Sequence, residues 1–190
     1  LKKLGIEEYV DIVEFAPRNT APAIAFAAFA SDGEDILLVT PADHIIKEST
    51  EYQDAIKTGI SLAEQDNIVT FGIQPTRPET GYGYIEADLS MACPSNNEIY
   101  RVDAFKEKPD MATAERYIQR KNYFWNAGIF IWNVNTIVNA MRVYQPALSK
   151  IFEKIFPYFY TDKEQEMVNE LFPTCESISV DYAVMEKADE

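Results

Sequence analysis

"DILLVTPADH", Asp35 to His44, and "NIVTFGI", Asn67 to Ile73, decide how this chain is read. Each is a short aliphatic run of the kind found in strands buried on both faces of a parallel sheet, and the first is closed by Pro41. Between them, Glu48 to Gln65 carries Tyr52, Ala55, Ile56, Gly59, Ile60 and Ala63 at helical spacing. Strand, loop, helix and strand in that order form a βαβ unit, which predicts a parallel sheet.

Working outward, "NTAPAIAFAAFA" has Asn19 or Thr20 as a cap, Pro22 in the first turn and a face of small residues and Phe, so it reads as a buried helix. Beyond Gly81, "YGYIE", "EIYRVDAFKEKP" and "FWNAGIFIWNV" predict three further strands, with a helix near Met111 to Arg120. The segments after Asn135 read as helices punctuated by Pro146, Pro157 and Pro173, and "DYAVMEKADE" starts one more. No internal repeat or linker divides the chain, so residues 1–190 are expected to form one α/β domain. A doubly wound domain usually opens on its own strand and glycine-rich turn. Here the first convincing strand comes near Ile36, so an element is expected to be missing in front.

The charge balance narrows the partners. With 31 acidic and 17 basic side chains the net charge is −14, which repels phosphate backbones and anionic lipid headgroups. Nucleic acid and membrane are therefore poor partners, whereas a small anion remains open because a few local cations and N–H groups can hold it. Cys93 and Cys175 stand apart, with no CxxC pairing, and read as ordinary thiols. No apolar run reaches the length of a membrane span and the N-terminus lacks a signal-peptide layout, so a cytoplasmic setting is expected.

Several polar residues fall where chemistry would be placed. Asp43 of "PADH" follows a strand end, suiting either a hard cation such as Mg2+ beside a phosphate or a turn cap. His44, a lone histidine without a carboxylate or metal-ligating partner, reads as structural. In "FGIQPTRPETGYGYIE", Gly81 and Gly83 let backbone approach a ligand or simply relieve strain in a hairpin. Glu107 and Lys108 of "KEKP" can face one ligand only if the strand ends there, as Pro109 allows; otherwise they are solvated charges. Asn126 in "WNAGIF" needs hydrogen-bond partners, which a polyhydroxy ligand would supply. Asp181 suits a helix cap or a second metal carboxylate, and Arg18 suits an anion, a purine edge or a cap.

Together "RNTAPAIA", "PADH", "FGIQPTRPETGYGYIE", "FKEKPD", "WNAGIF" and "VDYAVMEK" resemble, in sequence and succession, the sugar nucleotidyltransferases that act as mannose-1-phosphate guanylyltransferases. The resemblance runs from about Glu14 to Lys187. It implies a Rossmann-like nucleotide-diphospho-sugar transferase fold, a mixed and mostly parallel sheet flanked by helices, truncated at its N-terminus. It also implies guanylyl transfer from GTP to mannose 1-phosphate, with Mg2+ as cofactor, and leaves room for a homodimer. On the matching positions it puts Asn19 and Thr20 beside guanine and Asp43 and Asp181 on the metal. Gly83, Glu107 and Asn126 fall on mannose, and Lys108 on the sugar phosphate. The attacking phosphate is already ionised near neutral pH, so the reaction asks for positioning and electrostatics rather than a general base.

Three departures accompany the resemblance. The family's glycine-rich turn with Thr-Arg and a downstream basic residue is absent, and the seven glycines here offer no substitute. Phe15 stands where the family tends to have proline, and Ala127 where serine is frequent. They leave a catalytically inactive GDP-sugar-binding homologue, or a transferase for another sugar 1-phosphate, as the alternatives.

Overall fold

The structure, a computed structural model, describes residues 11–14, 16–47, 49–93 and 96–188. Phe15 and the N-terminal decapeptide lie outside them, so the departure at Phe15 has no structural counterpart here. The elements follow the order α1 (Thr20–Phe29), β1 (Ile36–Val39), α2 (Ser49–Ala63), β2 (Val69–Ile73), β3 (Tyr84–Cys93), β4 (Asn96–Lys106), α3 (Met111–Arg120), β5 (Tyr123–Asn133), α4 (Val134–Tyr144), α5 (Pro146–Ile155) and α6 (Glu164–Leu171). Short 3-10 turns occur at Phe156–Tyr158 and Phe172–Thr174, and a π-helical turn at Asp181–Met185. The prolines act as expected: Pro146 begins α5 where its missing N–H costs nothing, and Pro157 and Pro173 sit in the 3-10 turns.

The sheet corrects the parallel expectation. β5 is its spine, and every described pairing is antiparallel: β1 with β5, β2 with β5, β3 with β5 and β3 with β4. β1 and β2 do point the same way, as a βαβ unit requires, but β5 threads between them in the opposite sense. Phe130 pairs with both Val39 and Thr70, which sets β1 and β2 on opposite edges of β5. Trp125 likewise pairs with both Ile73 and Tyr84, so β3 shares the β1 edge. The local pattern fixes strand direction, whereas which strand intervenes is a nonlocal choice. Nor is β1 buried on both faces: Leu38 is 44% exposed, and β5 is the strand it pairs with among the described residues.

That arrangement creates a gap. Along one edge of β5, β1 takes Phe130 to Asn133 and β3 takes Tyr123 to Trp125, leaving Asn126 to Ile129 between them. At the gap Gly128 adopts φ +66°, in the left-handed region that costs a side-chain-bearing residue energy. The carboxyl end of β1 therefore faces the amino end of β3 across a short stretch of β5 whose edge is largely unpaired.

Helices lie on both faces: α1, α4 and α5 pack on the side of Phe130 and Trp132, while Gly59 of α2 meets Ile131, which points the other way. α1 is buried on most sides, as its small residues and phenylalanines predict, and its Phe26 and Phe29 meet Phe152 at ring distances of 6.0 and 5.6 Å. Phe105, Trp132, Ile137, Met141, Phe152, Phe172 and Val184 are essentially sealed and join sheet, α4, α5 and the C-terminal turn into one core. Each such side chain contributes roughly 1.5–3 kcal/mol by leaving water. Asp110 caps α3 by accepting the Thr113 N–H at 2.7 Å. Among the described residues no helix is long and apolar enough to cross a membrane.

Candidate functional site

A cavity of about 570 Å³ opens at the gap. Its walls come from the end of β1 (Val39, Thr40, Pro41 and His44), the turn before β3 (Gly81, Tyr82, Gly83) and the middle of β5. Glu107 and Lys108 after β4, and Val180 and Asp181 at the π-helical turn, complete it together with Thr20 of α1. Thr20, Gly83, Glu107, Lys108, Asn126 and Asp181 thus share one cavity, although they are dispersed along the sequence. Asn19 and Asp43 are not among its walls: Asn19 is exposed and accepts the Thr20 N–H at 2.8 Å, and Asp43 is exposed on the turn after β1.

Glu107 and Lys108 face the same ligand space because β4 ends at Lys106. Lys108 then adopts φ 44°, which removes it from the strand alternation and brings its Nζ to 3.0 Å from Glu107 Oε1. A left-handed residue other than glycine costs roughly 1–2 kcal/mol and persists where its surroundings over-determine it. One such restraint is the Glu107 N–H, which donates to Glu186 Oε1 at 2.9 Å. Burial pushes the Glu107 carboxyl above its usual range, Lys108 pulls it partly back, and Asp181 and Glu186 add to the rise. The same ion pair raises Lys108 and keeps its ammonium charged.

Asn126 has partners within the protein. Its Nδ2 donates to Asp181 Oδ1 at 3.0 Å, its Oδ1 accepts the Gly128 N–H at 3.0 Å, and its backbone N–H donates to the Gly83 carbonyl at 2.8 Å. The Asp181 side chain consequently points at β5 and does not cap the turn that follows it. Burial is also what raises the Asp181 carboxyl, opposed by hydrogen bonds from its own backbone, Ser179 and Asn126 and by the charge of Lys108. The bond from Glu186 N–H to the Asp181 carbonyl at 2.9 Å closes an i to i+5 ring, a wide turn often found at functional sites.

Gly81 and Gly83 differ in what an added side chain would meet. Neither Gly81 nor Gly83 has a positive φ. Gly83 matters for space, since a Cβ there would lie 2.5 Å from Glu107 Oε2 and displace that carboxylate. At Gly81 a Cβ would make only an ordinary 3.6 Å contact with Glu79 Oε1. The N–H groups of Thr80 and Gly81 already donate to that oxygen, at 3.1 and 3.3 Å. The Glu79 N–H donates to the Tyr84 hydroxyl at 2.9 Å, and Arg77 lies 5.6 Å above the Trp125 ring. The long Pro- and Thr-rich turn is therefore a braced wall.

Sequence reasoning passed over three residues here. Tyr82 and Trp125 meet edge-on at 5.3 Å and give the cavity an aromatic wall; both lay inside quoted motifs, where only the neighbouring Gly and Asn residues drew attention. Glu186 offered no signal beyond its place in "VDYAVMEK". Conversely, Arg18 donates to the Pro173 carbonyl and lies outside the cavity walls. Its neighbour Cys175 is a buried free thiol, raised by burial to about 11 and so unreactive.

A family model described as Nucleotidyl transferase matches residues 2–169. A curated Escherichia coli protein named mannose-1-phosphate guanylyltransferase is 37% identical over 93% of this chain and 39% of its own length. A crystal structure described as mannose-1-phosphate geranyltransferase from Thermus thermophilus superposes with a TM-score of 0.78 at 36% identity, covering 93% of this chain and 50% of that one. Another, described as mannose-6-phosphate isomerase from Helicobacter pylori, superposes with a TM-score of 0.76 at 31% identity, covering 92% and 67%. The chain thus spans about 40% of the length of the curated relatives it matches.

Proposed function

The chain belongs to the nucleotidyl transferase family, and from that premise we propose that it carries the sugar-binding side of a mannose-1-phosphate guanylyltransferase. In this reading a mannose 1-phosphate oxygen attacks the α-phosphorus of GTP. The new P–O bond forms as the bond to the bridging α–β oxygen breaks, releasing pyrophosphate and leaving GDP-mannose. The observation that carries the reading is the convergence of the Glu107–Lys108 pair and the Asn126–Asp181 pair on a cavity of about 570 Å³ at the carboxyl end of β1. Such a volume suits a small polar ligand, and ligands of open α/β sheets bind outside carboxyl strand ends.

Each residue then has a task set by its chemistry. Lys108, with its side chain 57% exposed over the cavity, offsets charge on the sugar phosphate. Glu107 accepts hydrogen bonds from mannose hydroxyls, and the bare Cα of Gly83 leaves room for its carboxylate. Asn126 holds Asp181 in place and has a second amide hydrogen for the sugar. Thr20 and Asn19, at the start of α1, stand on the nucleotide side.

Mg2+ fits Asp181, a half-buried carboxylate whose burial raises its pKa, a cost that a bound cation would offset. Asp43 is the second candidate, on the turn that also brings His44 to the cavity. When bound, the ion would neutralise phosphate charge during the displacement.

The test is pyrophosphate release from GTP by this chain with mannose 1-phosphate, set against glucose 1-phosphate. Release with mannose 1-phosphate, falling about 100-fold or more in Asp181→Asn, is the expected result. Binding of GDP-mannose without turnover would favour the inactive homologue, and release with glucose 1-phosphate alone would overturn the sugar assignment.

A further inference from the structure

Glu186 lies outside the cavity walls, yet it joins two of the elements that build them. Its Oε1 accepts the backbone N–H of Glu107 at 2.9 Å, across 79 positions of sequence. Its own N–H donates to the Asp181 carbonyl at 2.9 Å, closing the π-helical turn. Glu107 is the first residue beyond β4, where its N–H has left the ladder shared with β3, and the next residue, Lys108, takes the left-handed conformation at φ 44°. A partly buried N–H at such a point needs an acceptor, and a carboxylate is a strong one.

We propose that Glu186 is a positioning residue, a carboxylate clamp that holds the Glu107 N–H so that Glu107 and Lys108 stand side by side on the cavity wall in register with Asp181. The clamp accounts for a feature that local sequence cannot: two adjacent residues, one in left-handed backbone, presented to one space. Without the acceptor, the Lys106–Pro109 segment is free to rejoin the strand alternation, which sends Lys108 to the opposite face from Glu107. The carboxylate also ties the wall that carries Glu107 to the turn that carries Asp181, so a shift of one moves the other. This role rests on the proposed sugar-nucleotide reading only for its ligand; the clamp itself is a statement about the protein.

Two readouts on the full chain separate these claims. Hydrogen exchange at the Glu107 amide reads the clamp without any ligand, and calorimetric affinity for GDP-mannose against GDP reads its consequence. Glu186→Gln keeps the acceptor oxygen without the charge. Glu186→Asp keeps the charge but withdraws the oxygen by one methylene, and Glu186→Ala removes both. In Ala and Asp we expect the amide to exchange about tenfold faster and GDP-mannose to bind about tenfold more weakly, with GDP affinity unchanged and Gln within about twofold of wild type. Unchanged exchange in both Ala and Asp would overturn the clamp, and equal losses for GDP and GDP-mannose would overturn its role in positioning the sugar side of the cavity. If Ala does not fold, the Asp and Gln pair carries the same comparison. Faster exchange alongside a wild-type chain that binds no GDP-mannose would support the clamp and count against the functional reading alone.

Discussion

Glu107 carries the tension between stability and function at the scale of a single side chain. Its side chain is only 8% exposed, and burial raises its carboxyl. A raised folded-state value means the folded protein holds the proton more tightly than the unfolded chain. The associated stability is present below the ordinary carboxylate range and lost as pH rises through the folded value. Glu107→Gln removes the desolvated charge, so the variant should melt above wild type near neutral pH, with the gain shrinking as falling pH protonates Glu107 in wild type. The same variant should lose affinity for GDP-mannose while keeping that for GDP. A lower melting temperature at neutral pH would contradict the first expectation, and equal losses for both ligands the second. The sequence already allowed Glu107 and Lys108 to share a face, because Pro109 signals a strand end. It could not disclose the left-handed Lys108 or the distant Glu186 acceptor, since no local pattern encodes a contact 79 positions away.

Among the elements, β5 decides the layout, and it is also where sequence reading fell short. Strand periodicity located β1 to β5, and α3 emerged at Met111–Arg120 as expected. The alternation said nothing about partners, so two strands pointing the same way were read as neighbours although β5 lies between them. The gap that houses the cavity depends on Gly128, whose φ is +66° and whose missing Cβ would meet Pro41 Cγ at 3.4 Å. Gly128→Ala should therefore cost about 1 kcal/mol, or about 2–4 °C in melting temperature for a chain of this size. Gly81→Ala, with open surroundings and no positive φ, is the control and should be near neutral. Equal effects at the two glycines would show that the conformation at the gap is not what Gly128 supplies.

For the whole molecule, a net charge of −14 coexists with a cavity read as holding a phosphorylated sugar. The global charge made polyanionic partners a poor expectation from the start, but placing a site required knowing where the few useful cations fall. Lys108 at the cavity and Arg77 braced over Trp125 are matters of tertiary placement. The motif order was legible because the motifs sit at strand ends or helix starts, apart from "WNAGIF" inside β5. Their meeting at the gap between β1 and β3 was not, because it follows from β5 pairing with both on one edge. The central claim is that this cavity holds the mannose and phosphate portion of GDP-mannose. It is tested most directly by calorimetric titration of the chain with GDP-mannose, with and without Mg2+, against UDP-glucose as control. Mg2+-dependent binding of GDP-mannose and none of UDP-glucose is the predicted result. At about 100 times the dissociation constant, such binding would also stabilise the fold by about 2.7 kcal/mol. Equal binding of the two nucleotide sugars, or binding of GDP-mannose that Glu107→Gln leaves untouched, would contradict it.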